Sequence, residues 1–188
     1  IAPLLAEYPY KVANLEGPIL ETPEATTIDS FMFAFQPEYI KKLRDLGFTV
    51  LSLANNHTLN QGAAGLQNTR RVLQELGIGY FGDPSNVSSL SNLEMELNGR
   101  KIAFVGEHDL LPDSEAGQRT MLAEIAELKK KGDFVIVYPH WGVEYATSTP
   151  RIESTRAREL VDAGADLIIG SHPHVIQPLE LYKGKMIF

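Results

Sequence analysis

Apolar and polar positions along this chain of 188 residues follow two rhythms. Short apolar, β-branched runs at 11–15, 48–54, 101–106, 133–138 and 166–170 predict buried strands. Longer stretches with apolar residues three or four apart, at 37–46, 63–76, 118–131 and 151–163, predict amphipathic helices. Pro37 suits a first helical turn, and Gly47, Gly77 and Gly164 suit helix ends. Strands alternating with helices are the βα units of a wound sheet. Two hairpins interrupt that order. Residues 93–97 and 101–106 flank Asn98-Gly99, a dipeptide suited to a two-residue type I′ turn, and 179–188 folds back at Lys183-Gly184. Polar loops are expected at 21–27 and 83–91, with no internal repeat or low-complexity tract. The chain stops on an apolar, strand-like run, so the domain is expected to extend past Phe188 and before Ile1.

A 44% hydrophobic, 22% charged composition fits one domain with a sizeable core. The net charge of −7 argues against non-specific nucleic-acid binding, which needs clustered Lys and Arg. The one dense basic run, Lys129-Lys130-Lys131, closes a predicted helix, where cations suit the helix dipole and are ordinarily solvated. Without cysteine, thiolate chemistry, disulfides and Cys-based zinc sites are excluded. No apolar run approaches the roughly 20 residues of a membrane span, and no signal segment opens the chain. Any anchor therefore lies outside these residues.

Four of the five histidines follow strand-like runs: His57 in FTVLSLANNH, His140 in FVIVYPH, and His172 and His174 in DLIIGSHPH. A lone imidazole in such a place is ordinarily a loop residue or a satisfied polar group. Repetition points elsewhere, because the carboxyl ends of parallel strands line one crevice and convergent imidazoles suit a metal. In an extended segment His172 and His174 share a face. Asn14 and Glu16 likewise share a face in NLEGPI, and Glu16 offers the anionic ligand an ion needs. Asn55 and Asn56 add carboxamide oxygens. Trp141 and Glu144, in HWGVEY, are placed to pack substrate or orient ligands, or are simply a packing indole and a loop carboxylate. His108 follows the hairpin strand with no motif around it and is left outside the site. No G-x-S-x-G elbow, phosphate loop or G-x-G-x-x-G helix start is present.

NLEGPI, LANNHTLNQG, HWGVEY, AGADLIIGSHPHVIQPLE and YKGKMIF, in this order and spacing, resemble the bacterial capsule-synthesis proteins of the CapA type, linked to poly-gamma-glutamate biosynthesis. That family resembles the calcineurin-like metallophosphoesterases. The resemblance implies a four-layer αββα sandwich with a two-metal site at the strand ends, here without the family's opening strand and its metal-binding Asp. It casts Asn56, His140, His172 and His174 as metal ligands, Glu16 as the bridging carboxylate in place of Asp, and His57 as general acid. Asn14, Asn55, Trp141 and Glu144 fall to supporting or substrate-contacting roles. Asn60 departs from the pattern, which has Asp there.

The resemblance thus implies one or two divalent ions (Mn, Fe, Zn or Mg), an anionic polymer or phosphoester substrate, possible capsule-synthase partners, and an extracytoplasmic place held by an anchor elsewhere. The implied activity is metal-dependent phosphoester hydrolysis. Two alternatives stand beside it: a non-enzymatic accessory protein that handles an anionic polymer or scaffolds the synthase, and a metal-dependent amide hydrolase or transferase acting on a gamma-glutamyl polymer.

Overall fold

Alternate residues of the central strands face different partners, and that alternation builds the layers. The computed structural model describes residues 2–22, 31–86, 92–110 and 115–188. Among them the elements run α1 (Ala2–Ala6), β1 (Lys11–Asn14), α2 (Pro37–Asp45), β2 (Phe48–Ser52), α3 (Gly62–Glu75), β3 (Gly79–Phe81), β4 (Asn92–Leu97), β5 (Arg100–His108), α4 (Glu115–Lys130), β6 (Phe134–His140), α5 (Arg151–Ala163), β7 (Leu167–Ile168), β8 (Glu180–Tyr182) and β9 (Lys185–Ile187). One sheet has three parallel strands in the order β1-β2-β3; the other has six, β4-β5-β6-β7-β9-β8. In the second sheet the β4/β5 and β8/β9 hairpins are antiparallel and the inner pairs parallel.

Three apolar layers follow. In β5 and β6, Ala103, Val105, Val135 and Val137 pack against Met121, Ile125 and Leu128 of α4 and Leu160 of α5. Their neighbours Ile102, Phe104, Ile136 and Tyr138 face the other way, toward Val50 and Phe81 of the three-stranded sheet. Leu51 points to the far side of its own sheet and joins Ile40, Leu66, Val72 and Leu73 of α2 and α3. The result is a four-layer αββα sandwich, and each fully buried Val or Leu contributes about 1.5–3 kcal/mol by leaving water. Asp166, just before β7, ties α4 to the six-stranded sheet: its carboxylate accepts hydrogen bonds from the Lys129 and Lys185 side chains and from the Val135 amide. Lys129, Lys130 and Lys131 are thus not merely solvated; each is paired, with Asp166, Glu127 and Glu94 respectively.

The two sheets approach closely near the carboxyl ends of their strands. A Cβ on Gly106 of β5 would stand 2.7 Å from the Gly82 Cα and 3.1 Å from the Ala54 Cβ, and one on Gly82 would stand 2.7 Å from the Ala54 Cβ. Gly82 and Gly106 therefore leave no room for a side chain of their own beside Ala54.

The predicted helices and hairpins are present, and Asn98 and Gly99 both take the positive φ of a type I′ turn. Several boundaries differ. β3 was not expected, because three residues are too few to show alternation and its order comes from pairing with β2. The single turn of α1 is likewise below the length of a periodic signal. β2 ends at Ser52, β7 spans two residues, and β6 runs on through His140. Residues 23–27 and 87–91 of the expected loops lie outside the described residues.

Gly106→Ala is expected to destabilise the fold by about 1–3 kcal/mol, since the added methyl meets backbone that cannot yield without parting the sheets. Urea unfolding followed by circular dichroism measures this; unchanged stability would show that the sheets are free to separate.

Candidate functional site

β1, β2, β6 and β7 deliver their carboxyl ends to one edge of the sandwich, β1 and β2 from one sheet and β6 and β7 from the other. Glu16 stands two residues past β1, and its Oε1 lies 3.7 Å from His140 Nε2, 3.8 Å from His174 Nε2 and 3.9 Å from His57 Nε2. These are too long for hydrogen bonds. That oxygen is buried with no hydrogen-bond partner among the described residues. Asn56 Oδ1 lies 2.8 Å from His140 Nε2, and ligand atoms of Glu16, His172 and His174 all fall within 4.8 Å of one another. The structure therefore gathers Glu16, Asn56, His57, His140, His172 and His174.

The charges are poorly matched as they stand. Burial raises the Glu16 carboxyl above its ordinary range, against the pull of His174 and His57. His140, fully buried, is pushed down to about 3, chiefly by burial and then by His172. Burial lowers His172 as well. At neutral pH at least His140 is a neutral imidazole beside a carboxylate oxygen that lacks a donor. Two ligand atoms about 2–2.2 Å from one cation lie roughly 3–4 Å apart, so the spacings around Glu16 Oε1 are those of donors that could share an ion.

Neighbouring groups fix these side chains. Asn55 is fully buried: its Nδ2 donates to Asn14 Oδ1 and the Leu15 carbonyl, and its Oδ1 accepts from the His57 amide and Thr58 Oγ1. It joins the β1 and β2 ends and leaves no atom for a ligand. Asn14 Nδ2 donates to Glu16 Oε2 at 3.2 Å. Asn60 Oδ1 accepts from the Phe33 amide and lies 3.0 Å from His57 Nδ1, so the carboxamide in place of Asp still orients that ring. Ser171 Oγ lies 3.0 Å from His140 Nδ1 and 3.2 Å from the Pro139 carbonyl. With the His140 proton on Nδ1, donated to Ser171 and the hydroxyl donating onward to Pro139, Nε2 and Asn56 Oδ1, 2.8 Å apart, would present two lone pairs to a shared cation.

His140 is the last residue of β6, not a loop residue beyond it. His172 and His174 do not converge through strand alternation either. β7 ends at Ile168, and the two residues have φ of 97° and 56°, left-handed values that side chains seldom adopt. Such strain marks a segment held by its surroundings. The Tyr145 amide donates to the Pro173 carbonyl at 2.7 Å, pinning the bend.

Trp141 is a core residue: it is buried among the α5-facing side chains, and Gly170 packs on its indole. Glu144 is exposed, yet its charge acts on both Glu16 and His172. Phe33, Tyr145 and Ser171 stand beside these residues and were not among those expected there. Phe33 lies against the His57 ring and Tyr145 near His174, with ring centroids 4.3 and 6.1 Å away. Ser171 could have been found from its place beside His172; nothing in the sequence around Phe33 marked it.

A family model described as bacterial capsule synthesis protein PGA_cap matches residues 1–188. The chain is 32% identical to the capsule biosynthesis protein CapA of Bacillus anthracis and 31% identical to the PGA biosynthesis protein CapA of Bacillus subtilis, covering 100% of this chain but 50% and 53% of theirs. A probable polyglutamine synthesis accessory protein of Mycobacterium tuberculosis is 27% identical over 93% of this chain and 52% of its own length. The chain spans about half the length of these curated relatives. A crystal structure of a hypothetical protein from Thermus thermophilus superposes with a TM-score of 0.64 at 18% identity, covering 99% of this chain and 66% of that one, which shows the shared fold.

Asn55→Ala is expected to cost about 2 kcal/mol or more in stability, because it strands buried partners on two segments at once. Equilibrium urea denaturation tests it, and a loss under 0.5 kcal/mol, ordinary for a surface change, would refute the linking role.

Proposed function

Because the chain belongs to the bacterial capsule synthesis protein family, we propose that it serves poly-gamma-glutamate capsule synthesis with a metal-dependent, phosphoesterase-like hydrolase site at this edge. The observation that carries the reading is Glu16 Oε1, a buried carboxylate oxygen without a donor, faced by three imidazole nitrogens at 3.7–3.9 Å. Glu16, Asn56, His140, His172 and His174 would hold one or two divalent ions of Mn, Fe, Zn or Mg. Such ions supply an activated water and charge stabilisation at a phosphoryl centre.

The remaining steps belong to the chain's own groups. With its Nδ1 proton donated to Asn60, His57 turns Nε2 toward Glu16, where a proton on that nitrogen can pass to a leaving oxygen. Phe33 packs on the ring and limits its rotation. The substrate is a phosphoester or an anionic polymer, and capsule-synthase subunits are its partners at an extracytoplasmic membrane surface. No helix among the described residues is long and apolar enough to cross a membrane.

The name of the Mycobacterium relative favours a second reading, an accessory protein in which bound metal organises polymer carboxylates without turnover. Ion-dependent hydrolysis of nitrophenyl phosphoesters or of poly-gamma-glutamate by the full-length protein separates the two readings.

His57→Asn is expected to keep metal affinity near wild type and lower hydrolysis by about 10²–10⁴-fold, with a smaller loss for nitrophenolate leaving groups that need little protonation. An equal loss for all leaving groups would remove the acid role. Glu16→Gln should do the reverse of a simple weakening. A carboxyl whose folded pKa is raised holds its proton more tightly folded than unfolded, so its stabilising effect is present at low pH and lost as pH rises through the folded value. With a chelator at pH 7 the Gln variant is therefore expected to melt above wild type, with the gap closing toward pH 4, while binding manganese at least 10-fold more weakly. A lower melting temperature together with unchanged manganese affinity would contradict the assignment.

A further inference from the structure

His108 ends β5 directly beside His140: the two are partners in the parallel β5/β6 register. In β5, Val105 faces the helices, and Glu107 does too, through its ion pair with Arg156 of α5. By alternation Gly106 and His108 face the three-stranded sheet. In β6 the same alternation sends His140 to that side. His108, His140 and Ser171 thus form a row across the carboxyl edge, Ser171 joined to His140 by an isolated parallel bridge.

The chain holds His108 with unusual thoroughness. Asn86 brackets its backbone, donating to the His108 carbonyl and accepting from its amide, both at 2.9 Å. Its Nδ1 lies 2.8 Å from the Pro84 carbonyl, an acceptor only, so the ring proton is on Nδ1. Nε2 is left as a lone pair, buried, with no partner among the described residues; the residue is 4% exposed. A buried acceptor without a donor is costly unless a ligand satisfies it. An imidazole whose other nitrogen donates to a backbone carbonyl is the usual form of a metal ligand. Its ring centroid lies 6.2 Å from that of His140, against 4.9 Å between His140 and His172. Imidazoles sharing an ion have centroids roughly 4.5–6.5 Å apart, given metal–nitrogen distances of 2.0–2.1 Å.

We propose that His108 is a further ligand of the divalent-metal centre, contributing Nε2 from beside His140. This rests on the metal reading of the site.

The test uses the full-length protein and zinc, by calorimetry and by ¹⁵N imidazole resonances. His108→Asn keeps an amide able to reach the Pro84 carbonyl and removes Nε2. It is expected to weaken zinc binding about 10-fold or more, as His140→Ala does. In wild type, zinc should shift the His108 Nε2 resonance while Nδ1 keeps its proton. An unmoved Nε2 resonance, or wild-type affinity in His108→Asn while His140→Ala loses zinc, overturns the proposal and leaves the metal site standing. Absence of zinc binding by wild type itself would overturn both.

Discussion

The close approach of the two sheets at Ala54, Gly82 and Gly106 is the constraint on which the site depends. Each sheet alone presents half of the donors. The three-stranded sheet contributes Asn14, Glu16, Asn56 and His57 through the ends of β1 and β2; the six-stranded sheet contributes His140, Ser171, His172 and His174. Sheets packed face to face ordinarily stand about 10 Å apart, a gap that Phe81 and Phe104 fill deeper in the sandwich. At the carboxyl edge, three positions with little or no side chain let the layers close, and Glu16 comes within 4 Å of His140. Packing and chemistry are set by the same small residues.

Closure carries an electrostatic cost that the protein's own groups do not offset. Glu16 is half-buried beside His140, which burial keeps neutral, and among the described residues its Oε1 has no hydrogen-bond donor. The surrounding hydrogen bonds run the other way: Asn55, Asn60 and Ser171 satisfy the outer atoms of the site and leave Glu16 Oε1 and one nitrogen each of His108 and His172 bare. A network complete on its outside and deficient at its centre is what the proposed cation would fill, and it costs stability without one.

The left-handed backbone at His172 and His174 belongs to the same economy of position. A regular strand would send residues so placed along a straight edge, two to a face. The bend, held by Tyr145 and by the bridge of Ser171 to His140, turns both rings inward over Glu16. Strain at these two residues is sustained by the ordered segments on either side.

Much of this was legible in the chain. Binary patterning gave α2 to α5 and the long strands, because side-chain period reports directly which face is buried. The Asn98-Gly99 turn followed from backbone freedom, and the recurrence of His after apolar runs pointed to one edge. The αββα layering came through family resemblance rather than periodicity. Other features depend on partners distant in sequence. β3 exists through its ladder with β2; Trp141 sits in the core because Gly170 and α5 pack against it; Asn60, in the place of an Asp, shares one oxygen between His57 and the Phe33 amide. His108 carries no local motif, and only the β5/β6 register sets it beside His140. The sequence by itself determined which segments are strands and helices and which donors follow them, since those are properties of neighbours along the chain. Only the tertiary structure decided which nitrogen faces which oxygen, because that depends on how closely two sheets pack and on where a strained bend turns.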